Sequence, residues 1–205
     1  TPGTIFKLTG CGGKVNIDGT LTGLGTEENP IAFTSLKDDT RGGDTNGDAA
    51  ASAPHPSDWG YVHFNTGSTG TLEHVFFGYG GVGCSGYDTY TMLRASEALV
   101  DVEYATFDAY RWNAVYSAEA RLKIHRSKFR NDLSDNPMAI RNAGSRLWVD
   151  ARHNWWGDAS GPYQLTRNPF GTGAPVTDLV WFLPWAVHES GTEVNQVLVD
   201  GPKRV

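Results

Sequence analysis

Apolar and polar residues alternate in short runs along most of this chain. The run "RLKIHRSKF", residues 121–129, places Leu122 and Ile124 at alternate positions, with Lys123 and His125 between them. A period of two residues is typical of a β-strand that buries one of its faces. No stretch keeps a helical period of 3.6 residues beyond two turns. The pattern therefore predicts an all-β chain.

The apolar runs repeat along the chain. Aligning them places Leu72, Val100, Leu122 and Leu147 in one inward column, at intervals of 22 to 28 residues. A second column precedes the last three by seven residues: Leu93, Val115 and Ile140. Such repetition is typical of a solenoid, in which each unit buries its apolar row against its neighbours.

The repeating unit consists of short strands separated by Gly, Asn and Ser turns. This excludes leucine-rich and helical repeats and predicts a right-handed, single-stranded parallel β-helix with three short strands per coil. In the N-terminal third, the inward positions are Val15, Ile17, Leu21, Ile31, Phe33, Val62 and Phe64. We expect coils over residues 1–160, with a long acidic insertion at 36–58, and a Trp-rich cap or edge segment of the same domain at 161–205.

Several longer motifs follow in a distinctive order: "GTLTGLGTEENPIAFTSLKDDTRGGDTNGD", "SDWGYVHF", "LEHVFFGYGG", "NWWGDASGP", "NPFGTG" and "FLPW". Over most of residues 3–185 this order resembles the right-handed parallel β-helix proteins of bacterial cell surfaces, in the pectate-lyase-like superfamily. The resemblance implies an exported, usually multidomain protein, and it implies a fold more strongly than a reaction. Many such proteins are binding or structural modules, whereas others with the same coil are polysaccharide lyases or hydrolases.

Charge and composition narrow the classes of partner. The net charge is -6 over 205 residues, which argues against a general nucleic-acid binder. No run of 18 apolar residues is present, so we expect no membrane span. The chain opens as if inside a strand-rich domain, and we therefore expect an upstream region with a signal peptide and an extracellular or bacterial cell-surface location.

Charged residues occupy the outward positions of the aligned strands. In a parallel solenoid, equivalent residues of successive coils lie about 4.8 Å apart. The alignment gives two outward rows: Glu73, Asp101, Lys123, Trp148 and Val75, Glu103, His125, Asp150. One interpretation is a solvated ladder of opposite charges. The other is a polysaccharide site with acid/base chemistry from the candidate catalytic residues Asp101, Glu103, Lys123, His125 and Asp150.

Three further residues near these rows suit carbohydrate binding. Trp148 offers a flat ring for stacking on a sugar, and Arg126 and Arg152 can pair with a uronate carboxylate through two hydrogen bonds. The sequence lacks the clustered Asp-Asp and Arg-x-Lys pattern of the superfamily's polygalacturonases. We therefore favour a non-catalytic module over an enzyme.

The insertion is rich in carboxylates and contains "DDTRGGDTNGD". Alternating oxygen ligands at Asp44, Asn46 and Asp48, with Gly47 permitting a tight bend, suit calcium. The spacing matches the start of an EF-hand loop, although its twelfth position is His55 rather than Glu. The predicted ligands of a structural calcium ion are Asp38, Asp39, Asp44, Asn46, Asp48 and Asp58. The alternative is a solvated acidic loop, and no organic cofactor is expected.

The cysteines and the two ends of the chain leave alternatives open. Cys11 and Cys84 both lie in Gly-rich loops and form either one disulfide or two free thiols. The aromatic residues of the last third either cap the solenoid or, through Trp148, Tyr163 and Trp181, form a carbohydrate surface. The N-terminal coil shows no comparable cap, so we expect it to meet an adjoining domain or a neighbouring subunit.

Three functions fit this sequence. The favoured one is a non-catalytic module of an exported bacterial surface protein that is structural, contacts polysaccharide, or both. The second is a polysaccharide lyase or glycoside hydrolase acting at the outward rows. The third is a surface or filament component that associates end to end.

Overall fold

The computed structural model describes residues 1–83, 90–130, 137–144 and 146–191. Within these residues the chain is all-β and contains no helix, which confirms the predicted class. The strands are β1 (Ile5–Leu8), β2 (Val15–Ile17), β3 (Thr20–Leu24), β4 (Ile31–Ser35), β5 (Val62–Phe64), β6 (Thr69–Glu73), β7 (Val75–Gly78), β8 (Thr91–Ser96), β9 (Leu99–Glu103), β10 (Thr106–Asp108), β11 (Asn113–Ala118), β12 (Arg121–His125), β13 (Lys128–Arg130), β14 (Met138–Asn142), β15 (Val149–Asp150) and β16 (Val180–Trp181).

The strands form three parallel sheets. Sheet 1 has the order β1-β4-β7-β10-β13, sheet 2 the order β14-β11-β8-β5-β2, and sheet 3 the order β16-β15-β12-β9-β6-β3. Consecutive strands enter sheets 1, 2 and 3 in turn, so three strands complete one coil. The one exception among the described strands is β16, which follows β15 in the chain and lies in the same sheet, sheet 3. This arrangement is consistent with a β-helix solenoid.

A stack of aromatic rings fills the interior behind sheet 1. Successive ring centroids lie 4.7, 5.2, 5.2, 5.0 and 4.8 Å apart, and the rings are within 7° of parallel. The rings belong to Phe6, Phe33, Phe77, Phe107, Phe129 and Trp156. This spacing follows the separation of neighbouring parallel strands, so each coil contributes one ring to a continuous column.

The predicted column in sheet 2 is confirmed, because Val115 pairs with both Leu93 and Ile140. In sheet 3, Val100 lies opposite Leu122 as predicted. The position given to Leu147 is wrong.

Two slips of register explain the errors in sheet 3. The pairing of Lys123 with Asp150 places Val149, rather than Leu147, beside Leu122. At the other end, Leu72 pairs with Val102 instead of Val100. A shift of two residues keeps every side chain on its own face, so the apolar pattern cannot detect it.

Sharp turns connect the strands of sheet 3 to those of sheet 1. The equivalent turn residues His74, Tyr104, Arg126 and His153 have φ values of 49°, 53°, 49° and 63°. This left-handed conformation lets the backbone change direction within one or two residues. In the last coil, the fully buried Asn154 holds the turn, since its Oδ1 accepts a 2.8 Å hydrogen bond from the Ser127 amide.

The insertion and the C-terminal region lie outside the regular coils. Residues 36–58 contain no strand, and they fold back onto sheet 1, where Lys7 Nζ donates to the Gly43 carbonyl. At the other end, Val180, Phe182 and Trp185 are buried and close the last coil. These apolar side chains, two of them aromatic, therefore pack as a cap.

Two predictions fall wholly or partly outside the described residues. The proposed disulfide involves Cys84, which lies outside them, so the pairing stays a prediction, although Cys11 is not a free thiol. Residues 192–205 of the expected cap or edge segment also lie outside them.

Candidate functional site

A groove of about 340 Å³ runs across the outward face of sheet 1. The insertion and the 26–30 loop bound it on one side, and the segment 189–191 bounds it on the other. We call it the sheet 1 groove, and its main lining residues are Glu27, Arg41, His74, Phe76, Tyr104, Thr106, Arg126, Lys128, Arg130, His153, Trp155 and Glu189.

The floor of the groove is one outward row of sheet 1. Strand register aligns Phe76, Thr106, Lys128 and Trp155 across four coils. The Arg41 guanidinium lies 3.6 Å from the centre of the Phe76 ring and covers it. Lys128 makes no ion pair within the described residues, so its ammonium group is available to a ligand.

The rim of the groove is formed by the left-handed turn residues. The rings of His74 and Tyr104 stack 4.8 Å apart and within 6° of parallel. Arg126 lies 5.8 Å from the Tyr104 ring, and its side chain is half exposed. The rim thus presents aromatic faces beside a guanidinium, a combination that suits a ligand with flat apolar faces and anionic groups.

More cationic than carboxylate side chains line the groove, although Arg41 pairs with Asp38 and Arg126 with Glu103, whose carboxylates lie outside the lining. Arg41, Arg126, Lys128 and Arg130 line it, against the two carboxylates of Glu27 and Glu189. Glu189 pairs with Arg130. Since the chain as a whole carries a net charge of -6, this excess of cations is local. A concave site lined mainly by one sign of charge raises the local concentration of oppositely charged ligands.

His153 adds little to this positive charge near neutral pH. Burial, together with the neighbouring charges of His125, Arg126 and Arg152, lowers the pKa of its imidazole below the usual 6.5. The ring is therefore neutral at pH 7, where the charge of the groove comes from lysine and arginine.

The predicted catalytic residues lie on the outward face of sheet 3, in rows that differ from those expected. The first row is Thr71, Asp101, Lys123, Asp150 and Trp181, and the second is Glu73, Glu103 and His125. The expected places of Glu73 and Trp148 in the first row, and of Val75 and Asp150 in the second, are therefore wrong, and the register slips described above are the reason.

Asp150 lies at the centre of the tightest cluster on sheet 3. Its Oδ1 is 2.8 Å from Nε2 of the buried His125, and both of its oxygens accept 2.8 Å hydrogen bonds from the Arg152 guanidinium. Burial alone would raise the pKa of the Asp150 carboxyl, but the hydrogen bonds from Arg152 and the neighbouring His125 imidazole hold it well below its usual range. Asp150 therefore remains an anion matched by neighbouring donors.

Glu103 is matched in a similar way. Lys123 Nζ lies 3.4 Å from one of its oxygens and Arg126 Nη1 lies 3.2 Å from the other. Asp101 is exposed beside Lys123 in the strand register. None of the five predicted catalytic residues lines the sheet 1 groove, so their contacts favour the interpretation as a charge ladder.

The predicted carbohydrate-binding residues are divided between two places. Arg126 lies on the rim of the groove, whereas Arg152 is held by Asp150. Trp148 precedes β15 and is 41 % exposed, with its ring 5.5 Å from that of the exposed Trp181. This pair forms a separate aromatic surface at the C-terminal edge of sheet 3.

The predicted metal ligands also lie in two different places. Asp39, Asp44 and Asp48 come together, with one carboxylate oxygen of each within 4.8 Å of the others. Asp38 is buried and accepts a 2.6 Å hydrogen bond from Thr34 Oγ1. Asp58 accepts hydrogen bonds from Ser35, from the His55 amide and from Lys37. These two carboxylates anchor the ends of the insertion to β4.

A second cationic row lies on the outward face of sheet 2. Strand register aligns His63, Arg94, Tyr116 and Arg141. The guanidinium carbons of the two arginines lie 5.5 and 5.9 Å from the centre of the Tyr116 ring. Neither arginine forms an ion pair within the described residues, and the row does not line the sheet 1 groove.

Sequence reasoning did not identify most of the groove. The lining residues His74, Tyr104, Lys128, His153 and Trp155 were not predicted as site residues. A usable signal was present, because three of them, His74, Tyr104 and His153, lie in turns that follow strands of sheet 3, where polar or aromatic residues recur. Their convergence on a groove depends on the insertion and the C-terminal segment, whose paths the repeat does not encode.

Comparison with protein-family models, with curated proteins and with solved structures finds no match to this chain. The described residues include no helix that is long and apolar enough to cross a membrane.

Proposed function

We propose that this chain is a non-catalytic module that binds an acidic polysaccharide in the sheet 1 groove. The observation that carries this proposal is a concave surface with an excess of cations and exposed aromatic rings on a chain of net charge -6. The module would belong to an exported bacterial surface protein. Its fold would be the right-handed parallel β-helix of the pectate-lyase-like kind, which the order of the sequence motifs supports.

The groove offers two complementary kinds of contact. The ring of Tyr104 is 42 % exposed and Trp155 lies in the floor, so both can pack against the apolar face of a sugar ring. Arg126 and Lys128 can pair with the carboxylates of a uronate chain, with Arg126 suited to two parallel hydrogen bonds. The two kinds of contact lie in neighbouring coils along the solenoid axis, which suits a linear polymer.

A binding role is favoured over catalysis for a specific reason. The carboxylates that would serve as acid and base, Glu103 and Asp150, are held by cations and lie outside the groove. A general acid or base needs a substrate within hydrogen-bond reach.

The proposal is tested by calorimetric titration with polygalacturonate, alginate and a neutral glucan. The variant Arg126→Gln/Lys128→Gln removes two positive charges from the groove, and Arg94→Gln/Arg141→Gln removes two from sheet 2. Since a charge-assisted hydrogen bond contributes roughly 1.5–3 kcal/mol, we expect the groove variant to bind an acidic polymer about tenfold or more weakly. The sheet 2 variant should bind like the parent protein. Equal losses in both variants, or equal binding of the neutral glucan, would contradict the proposal.

The same polymers test the enzyme alternative. The parent protein is incubated with each of them, and unsaturated-product absorbance and new reducing ends are followed. No product is expected. Cleavage that disappears in His125→Ala or Asp150→Ala would replace the binding module with an enzyme acting from sheet 3.

The N-terminal end supports a second proposal, contact with a neighbouring domain or subunit. Ile5, Phe6 and Leu24 are 38 %, 41 % and 47 % exposed, and Phe6 ends the interior ring stack. An exposed strand edge with apolar side chains favours pairing. If this end mediates self-association, sedimentation velocity should show concentration-dependent oligomers that Phe6→Lys abolishes. A monomer at all concentrations would exclude self-association through this edge.

A further inference from the structure

Three carboxylates of the insertion converge on one point of the loop, and an asparagine lies beside them. Asp39, Asp44 and Asp48 each place a carboxylate oxygen within 4.8 Å of the others. Asn46 joins them because its amide nitrogen donates a 2.8 Å hydrogen bond to Asp48 Oδ2. The same nitrogen also donates a hydrogen bond to Ser52 Oγ. These two contacts assign the nitrogen of the Asn46 amide, and the other end of the amide is therefore Oδ1.

A separate observation indicates that this cluster binds a ligand. The Oδ1 atoms of Asp39, Asn46 and Asp48 are shielded from solvent, and no donor in the described residues reaches any of them. Three acceptor oxygens that are shielded from solvent and lack a donor are unfavourable by themselves, most of all when two of them belong to carboxylates. A cation removes this penalty, because it interacts with all the oxygens at once.

We propose that Asp39, Asp44, Asn46 and Asp48 bind one calcium ion. All the ligand atoms are oxygens from carboxylates and an amide, which a hard cation prefers, and no sulfur or imidazole ligand belongs to the cluster. Calcium accepts six to eight oxygens in irregular geometry, whereas magnesium requires a near-regular octahedron. An irregular loop that presents acidic and amide side chains fits the first requirement better.

Asp44 is prepared for this role before the ion binds. Its Oδ1 accepts a 2.7 Å hydrogen bond from the Gly47 amide, and its Oδ2 accepts one of 2.9 Å from the Ala49 amide. A third hydrogen bond, of 3.2 Å, is donated by the Asp48 amide to Oδ1. Gly47 permits the bend, since its φ is 72°.

The ion would also support the wall of the sheet 1 groove. Asp39 lies two residues before Arg41, whose guanidinium covers Phe76 in the groove floor. On the other side of Arg41, Gly43 accepts a hydrogen bond from Lys7 of β1. Fixing Asp39 and Asp44 therefore fixes the segment that carries Arg41. This consequence rests on the proposed function, whereas calcium binding does not.

Calorimetry and thermal melting of the full chain test the site. Metal-free protein, prepared with a chelator and dialysed, is titrated with calcium chloride and separately with magnesium chloride. We expect one calcium per chain, weaker magnesium binding, and a melting temperature that rises by roughly 5–10 °C at a calcium concentration of about 100 times Kd. No calcium binding, or a melting temperature that calcium does not change, would overturn the proposal.

Two variants locate the site. Asp39→Asn/Asp48→Asn keeps the shape of both side chains, and we expect it to bind calcium at least tenfold more weakly. In the metal-free state it should melt no lower than the parent protein, because it removes two partly buried anionic groups. Asp18→Asn, which changes an exposed acid of sheet 2's edge, is the matched control and should bind calcium normally. Normal calcium binding by the double variant would place the ion elsewhere and refute the ligand set.

These outcomes are independent of the polysaccharide proposal, because the calcium titration contains no polymer. The link between the two is tested by Arg41→Gln, which leaves all four proposed ligands in place. It should keep calcium binding and lose only polymer affinity. If it loses neither, the groove wall does not depend on Arg41, and the coupling between ion and groove is wrong.

Discussion

Sheets 1 and 2 both present cations to solvent, but they do so in different surroundings. On sheet 1, Lys128 and Arg126 border a groove of about 340 Å³. On sheet 2, Arg94 and Arg141 lie on either side of Tyr116 and contact its ring. The coil supplies the regular row in each case. The groove on sheet 1 arises because the insertion and the 189–191 segment rise beside the row.

This difference indicates where a solenoid acquires a binding site. Regular coils place equivalent side chains about 4.8 Å apart on a nearly flat face, which gives a ligand little to enclose it. Loops that leave the regular coil form the walls of the groove. Arg41 comes from such a loop and covers Phe76, which belongs to the regular row. Sites are therefore expected where long loops flank a polar row.

The interiors of the two sheets differ as well, and this difference gives the largest predicted effect. Phe107 stacks between two neighbouring rings in sheet 1, whereas Val115 packs between aliphatic side chains in sheet 2. We expect Phe107→Ala to lower the free energy of unfolding by about 3–5 kcal/mol and Val115→Ala by about 2 kcal/mol. Urea denaturation measures both.

The more conservative Phe107→Leu provides the control for this comparison. It retains most of the buried volume but removes the ring contacts, each of which contributes roughly 0.5–1.5 kcal/mol beyond burial. It should therefore fall between the parent protein and Phe107→Ala. If Val115→Ala is as costly as Phe107→Ala, the ring stack is not the dominant support of the groove floor.

Much of the fold could be predicted from the sequence, because its repeat is a physical consequence of coil stacking. Leu93, Val115 and Ile140 keep both their spacing and their face, so their column was predicted correctly. Leu147 was not, because turns of different length separate the last coils, and a slip of two residues leaves the apolar pattern unchanged. Local alternation defines the face of a side chain but not its neighbour in the next coil.

The site was harder to predict than the fold. The contact between His125 and Asp150 was anticipated, and it occurs, although the register brings the two together diagonally. The groove was missed because its walls come from loops, whose paths depend on individual hydrogen bonds rather than on periodicity. The bond from Thr34 to Asp38, which anchors the insertion, is an example that no pattern in the sequence reveals.

Exposed aromatic side chains give the second prediction. Tyr104 on the groove rim is 42 % exposed, and Trp112 beside β11 of sheet 2 is 51 % exposed. If only the groove binds polymer, Tyr104→Ala should weaken affinity for an acidic polysaccharide about tenfold, since an aromatic contact of this kind contributes about 1–2 kcal/mol. Trp112→Ala should change it by less than about twofold. A larger loss of affinity in Trp112→Ala than in Tyr104→Ala would indicate that the polymer binds to sheet 2.

His63 on sheet 2 gives a smaller effect, on the pH dependence of stability. Burial, with a contribution from Arg94, lowers its pKa from 6.5 to about 4. Between these two pH values the unfolded chain binds a proton that the folded chain does not, so stability falls as the pH decreases from 6.5 towards 4. The loss should be about 1 kcal/mol, because the ring is only partly buried and solvent screens the effect.

Denaturation midpoints between pH 7 and pH 4 measure this loss. His63→Gln should flatten the profile in that interval, and His153→Gln should flatten it less, because the imidazole of His153 is more exposed to screening by solvent. A profile in His63→Gln that matches the parent protein would assign the pH dependence to other groups.

The smallest predicted effect is a change in the pKa of His63 itself. This pKa can show whether a polymer binds to the outward face of sheet 1 or to that of sheet 2. Removing the neighbouring cation with Arg94→Gln should raise this pKa, although the larger contribution from burial remains. An acidic polymer bound in the sheet 1 groove should leave the His63 pKa unchanged and raise that of His153, because its carboxylates would lie near the latter ring. NMR titration of the imidazole protons follows both residues in one sample. A His63 pKa that rises on adding polymer, while that of His153 stays constant, would place the polymer on the row of Arg94 and Arg141 instead of in the groove.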